Sequence, residues 1–133
     1  MHDRYRCFDP RNKMSVHLGV GESVTKTQLT EEFDIIGLLP YFATSTCLMA
    51  IDVLQTVPES CDCSSKTTET LEVAVKDHGV KSHGDTMQIT QSQSDLIEQL
   101  IRIDAHLYKL SEEIFFEAVE RVNTKYSVKL CMM

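Results

Sequence analysis

The residues best suited to chemistry in this chain are few and scattered. Arg11 and Asn12 follow Pro10, whose fixed φ marks a turn, so both side chains can face a ligand. Arginine offers a planar fork for phosphate or sulfate, and asparagine can bond sugar hydroxyls; the competing reading is a solvated basic turn. Cys61 and Cys63, followed by His78 and His83, supply two thiols and two imidazoles in a loop-rich stretch. The histidine spacing suits zinc, but the cysteines are closer together than in most zinc sites, and Gly79 and Gly84 interrupt any helix that would carry the histidines. A polar insert with incidental Cys and His is therefore favoured over a metal site. Asp104 and His106 fall on different faces of a helix and cannot pair. Asp104 reads as a helix N-cap and His106 as solvent-facing. Tyr108, Phe115 and Phe116 read as packing, and Glu112, Glu113, Glu117 and Glu120 as a solvated helix face. Nothing resembles a Ser-His-Asp or Cys-His arrangement, and no catalytic residue is assigned.

Totals limit what these residues can serve. A length of 133 residues fits one domain, 1–133, with a modest core. Net charge is −7, and the first 26 residues carry five Lys/Arg against three Asp/Glu, so the rest is strongly acidic. Without a basic face or a Trp, the chain is a poor nucleic-acid binder, because phosphate neutralisation supplies most of that affinity. Five cysteines, an odd count, do not suggest a disulfide scaffold, and Cys47 within an apolar run reads as a small hydrophobe; the compartment stays open. The N-terminal residues have no apolar core of a signal peptide. The uncharged run 35–51 is interrupted by Pro40, Thr44, Ser45 and Thr46, so no membrane span is expected.

The elements that must position these residues follow from periodicity. Met14 to Val20 reads as loop with a short strand or helical turn, and residues 23–32 as a connector or helix end. Phe33–Leu39 is a near-continuous apolar run, expected as a strand covered on both faces. After Pro40, Cys47, Leu48, Ile51 and Leu54 recur at helical spacing, predicting a helix over 44–55 with Thr44 or Ser45 as cap. Residues 56–93 are polar and read as an insert or long loop, broken by an apolar run at 71–75. From Ser94 to Tyr126 one apolar stripe keeps helical spacing, as one helix or two with Asp104 capping the second. That stripe needs a covering surface, and a protein partner is one candidate.

Three segments carry a family resemblance: YRCFDPRNKMSVHL at 5–18, FDIIGLLPYFATSTCLMAIDVL at 33–54, and the closing LIEQLIRIDAHLYKLSEEIFFEAVERV with Asp104, Leu107, Tyr108 and Phe115 or Phe116. In this order they resemble the C-terminal part of Golgi-type carbohydrate sulfotransferases, over a little more than half of the chain. The resemblance implies an α/β chain, a C-terminal fragment of a three-layer P-loop-type sulfotransferase fold, mostly helical here with one or two strands. It also implies sulfuryl transfer from 3′-phosphoadenosine 5′-phosphosulfate (PAPS) to a sugar hydroxyl, a Golgi-lumenal setting for a full-length member, and Arg11 and Asn12 near donor and acceptor. The family's phosphosulfate loop precedes the segments matched here, and no G-x-x-x-x-G-K-[ST] motif occurs. The chain alone is therefore expected to bind no PAPS and to be inactive. Pro40 stands where the family commonly has Glu, and Ala43-Thr44 where it has acidic residues, which puts the substrate-side chemistry of that corner in doubt. The alternative is a non-enzymatic helical interaction module using the 94–126 stripe.

Overall fold

The computed structural model of the chain describes residues 11–64 and 88–132. They build five α-helices, α1 (Lys13–Leu18), α2 (Lys26–Glu32), α3 (Phe42–Leu54), α4 (Gln91–Leu100) and α5 (Arg102–Tyr126), with 3₁₀ turns at Leu39–Tyr41 and Glu59–Cys61. The chain divides into two compact units, Met1–Val24 with Lys81–Tyr108 and Thr25–Val80 with Lys109–Met133. No helix among the described residues is long and apolar enough to cross a membrane. The apolar run at 71–75, His78 and His83 lie outside the described residues.

In the first unit, α4 begins at a capping box. The Thr90 amide donates to Gln93 Oε1 at 2.8 Å, and the Gln93 amide to Thr90 Oγ1 at 3.3 Å. The stripe from Ser94 is two helices, broken at Ile101 (φ −110°, ψ 14°). Asp104 does not cap the second one. It lies in the first turn of α5, and the orphan amides of Ile103 and Asp104 bond Asn12 Oδ1 instead, at 2.9 and 3.3 Å. Residues 13–18 form a helix, not a strand, closed by Gly19 at φ 69°.

In the second unit, α2 starts at a Thr25–Gln28 capping box. The apolar run that follows, expected as a strand, is extended at Phe33 (φ −124°, ψ 123°) and Leu38 (φ −118°, ψ 131°) but pairs with no strand. The bridge between Asp62 and Leu130 is isolated, so no neighbouring ladder is offered to this run among the described residues. Its side chains turn instead to helices: Leu38 is buried in the core. The corner into α3 is held by Ser45, whose Oγ accepts from the Leu38 amide at 2.9 Å and donates to the Tyr41 carbonyl at 2.8 Å. A Cβ on Gly37 would sit 2.9 Å from Ser45 Cβ, so this crossing requires glycine. Thr44, the other expected cap, instead donates to the Cys131 carbonyl at 2.6 Å.

Helix α3 buries Thr44, Cys47, Leu48 and Ile51. This face packs in a core with Leu38, Cys61, Phe115, Val119 and Leu130. Phe115 is fully buried and stacks on Tyr41 with ring centroids 5.5 Å apart; Phe116 meets both rings edge-on. The cysteines correct the sequence reading. Cys47 pairs with Cys61, and Cys63 with Cys131. Helix α3 and the Glu59–Cys61 turn bring the first pair of Cα atoms to 5.7 Å, a proximity that local periodicity does not reveal. The second bridge ties down the last residues, where the Cys63 amide bonds Lys129 O at 2.8 Å and the Cys131 amide bonds Cys61 O at 3.1 Å.

Candidate functional site

Two places gather polar side chains around defined geometry, one in each unit. In the first, Asn12, just ahead of α1, meets the start of α5. Asn12, at φ 44°, uses its carbonyl oxygen to cap α5, while Asp104 caps α1 in return. Asp104 Oδ1 accepts from the Ser15 amide at 2.7 Å and the Ser15 hydroxyl at 2.5 Å, and Oδ2 from the Met14 amide at 3.1 Å. The Asn12 amide closes the clamp on Leu100 O at 2.9 Å. Asn12 is thus committed to backbone, while Arg11 stands exposed on the turn. His106 is exposed, with Nε2 3.2 Å from the Val24 carbonyl. Arg102 and Glu22 form an exposed ion pair.

Partial burial opposes ionisation of Asp104, but the bonds from the Ser15 hydroxyl, the Ser15 amide and the Met14 amide outweigh it and hold the carboxyl below the usual range. A folded-state value below the unfolded one stabilises above the unfolded pKa and is lost as pH falls through the folded value. Asp104→Asn should therefore flatten the stability–pH curve below about pH 4 and leave its shape near pH 7 unchanged. Urea midpoints for both proteins between acid and neutral pH would check this; parallel curves throughout would contradict it.

The second place is a groove of about 340 Å³ in the second unit. The Phe33–Ile36 connector, α3 and the C-terminal half of α5 enclose it. Leu48, Ile51, Ile114 and Val122 make its apolar lining. Asp34 and Asp52 bring carboxylates, and Arg121 and Lys125, one turn apart on α5, bring cations. Lys125 Nζ lies 4.9 Å from the Tyr126 ring centroid, and that ring lines the groove too. The lining offers carboxylates, a guanidinium and a phenol to bond hydroxyls, and an aromatic face for C–H surfaces.

The sequence candidates are distributed differently. Asn12 belongs to the clamp, and neither Arg11 nor Asn12 lines the groove. Cys61 and Cys63 are in disulfides and offer no thiolate, so the zinc alternative loses its sulfur half, and no metal-holding group occurs among the described residues. Phe115 is a buried packing residue as expected, whereas Phe116, though edge-on to Phe115 and Tyr41, and Tyr108 are both partly exposed. Glu117 pairs with Lys26, and Glu113 and Glu120 are exposed. The groove residues were missed; an Arg121–Lys125 spacing of four on the closing helix was the available signal. No family model, curated protein or solved structure matches the chain.

Proposed function

We propose that this chain is a carbohydrate-sulfotransferase-like domain that contributes sugar-acceptor surface and no donor site of its own. One observation carries the reading: the segments that resemble the family are the ones that meet in space. Asn12 of the first segment and Asp104 of the closing one cap each other's helices across about ninety residues of sequence. Likewise Tyr41, Leu48 and Ile51 of the middle segment pack with Phe115 and Val119 of the closing one. In this reading the partial α/β character rests on Phe33–Leu38, which is extended at its two ends and bent at Asp34 and would have to straighten to join a parallel sheet completed by other polypeptide. Two disulfides fit an oxidising compartment such as the Golgi lumen.

The acceptor would occupy the groove, with Asp34, Asp52 and Arg121 bonding hydroxyls and Tyr126 lying against a pyranose face. The acidic balance of the chain favours an acceptor of low charge over a polyanion. PAPS would need a phosphate cradle, and neither the sequence motif nor a longer helix start beside Arg11 supplies one; α1 has six residues. Calorimetric titration of the disulfide-intact chain should give no heat with the desulfated donor nucleotide and weak saturable binding, about 0.1–1 mM, with neutral oligosaccharides. Micromolar donor binding, or no binding by any oligosaccharide, would overturn the reading. A second reading, a helical interaction module, is favoured by one observation: Leu96, Ile97 and Ile101 of the closing stripe remain exposed, whereas its residues from Leu107 onward are largely covered within the chain.

A further inference from the structure

Helix α3 is apolar on both sides. Its inner face, Thr44, Cys47, Leu48 and Ile51, fills the core. The opposite face carries Phe42, Thr46, Met49 and Val53, and Leu39 in the preceding turn continues it. These positions repeat at three and four residues, the spacing of a helix-pairing seam. Leu39 is 83%, Phe42 53%, Met49 56% and Val53 75% exposed. Thr46 sits at the centre of the seam and donates its hydroxyl to the Phe42 carbonyl at 2.9 Å, so it presents its methyl group without an unpaired donor. No charged residue belongs to the seam, although the chain carries −7 overall.

We infer that this seam is a two-fold interface between copies of the chain, with α3 packing antiparallel on α3 of the second copy around Thr46. Three properties select a second copy as the occupant. The seam matches itself, because a two-fold axis at Thr46 sets Met49 against Phe42 and Val53 against Leu39. It lets two acidic chains approach without opposing like charges, and it offers a charged partner nothing to pair with. Its exposed side chains amount to roughly 500 Å² per copy, so pairing buries at most about 1,000 Å² in total, the size of a weak, transient interface. A reversible dimer with a dissociation constant on the order of 10–100 µM follows from that area.

Sedimentation equilibrium of the disulfide-intact full chain should show its mass doubling between about 1 and 300 µM. Met49→Lys and Val53→Lys should each hold it as a monomer over that range with an unchanged circular dichroism spectrum, because both side chains point away from the core. Thr27→Lys, which adds the same charge on α2, should leave the dimer intact. In a Cys7→Ser background, Thr46→Cys should form an intermolecular disulfide on mild oxidation. A wild-type chain that stays monomeric at 300 µM, a dimer indifferent to Met49→Lys, or a Thr46→Cys chain that fails to cross-link would each overturn the inference.

Discussion

Replacing the Phe115 ring in Phe115→Ala is expected to cost about 3–5 kcal/mol of folding stability. The ring has no exposed surface, stacks on Tyr41 and lies in the cluster that joins α3, α5, Leu38 and Leu130. Truncation loses the transfer free energy of the ring and leaves a cavity that three separately anchored elements cannot close together. Folding stabilities are only about 5–15 kcal/mol, so the loss is a large share of the total. Phe116→Ala, at the neighbouring half-exposed position, should cost about 1 kcal/mol. Urea denaturation of the two variants would separate them; equal midpoints would show that Phe115 is not the centre of the core.

Removing either disulfide should have an effect of similar size. Cys47–Cys61 closes a separation of 14 residues and Cys63–Cys131 one of 68. In the chain-entropy account these restrain the unfolded state by about 3 and about 4 kcal/mol respectively. The double substitution Cys63→Ala with Cys131→Ala should also free the last residues. Their remaining ties would be the Lys129 and Cys131 backbone bonds, the Thr44 hydroxyl on the Cys131 carbonyl, the Asn123 side chain on the Leu130 amide, and the Asp62 carboxylate on the Lys129 amide, a carboxyl held below its usual range mainly by the Ser64 hydroxyl. Leu130, almost fully buried in the core, would then exchange with solvent. Thermal melts with and without a reductant would measure this. A chain that melts at the same temperature when fully reduced would contradict the role given to both bridges.

Much of the secondary structure was legible in sequence. The helix predicted over 44–55 lies at Phe42–Leu54, because its inner apolar spacing is strong. The start of α4 was placed at Ser94 and lies at Gln91; the Thr90-x-x-Gln93 capping box in the sequence marks it. Phe33–Leu39 has strand composition, and it is extended at Phe33 and Leu38, but it bends at Asp34, enters the 3₁₀ turn at Leu39 and has no ladder, since composition specifies what a segment can cover and not whether a partner strand is present. The disulfides and the Asn12–Asp104 clamp were invisible for a common reason. Each joins residues whose proximity is set by tertiary folding, and periodicity reports only local geometry. The groove was illegible on the same ground, its carboxylates coming from before and within α3 and its cations from α5.

The most direct test of the acceptor-surface proposal is a chemical-shift titration of the isotopically labelled, disulfide-intact chain with neutral oligosaccharides. Saturable shifts confined to amides around Asp34, Asp52, Arg121 and Tyr126, weakened at least tenfold by Arg121→Ala, are the predicted result. An absence of shifts at these residues up to about 10 mM sugar, or shifts unaffected by Arg121→Ala, would contradict it.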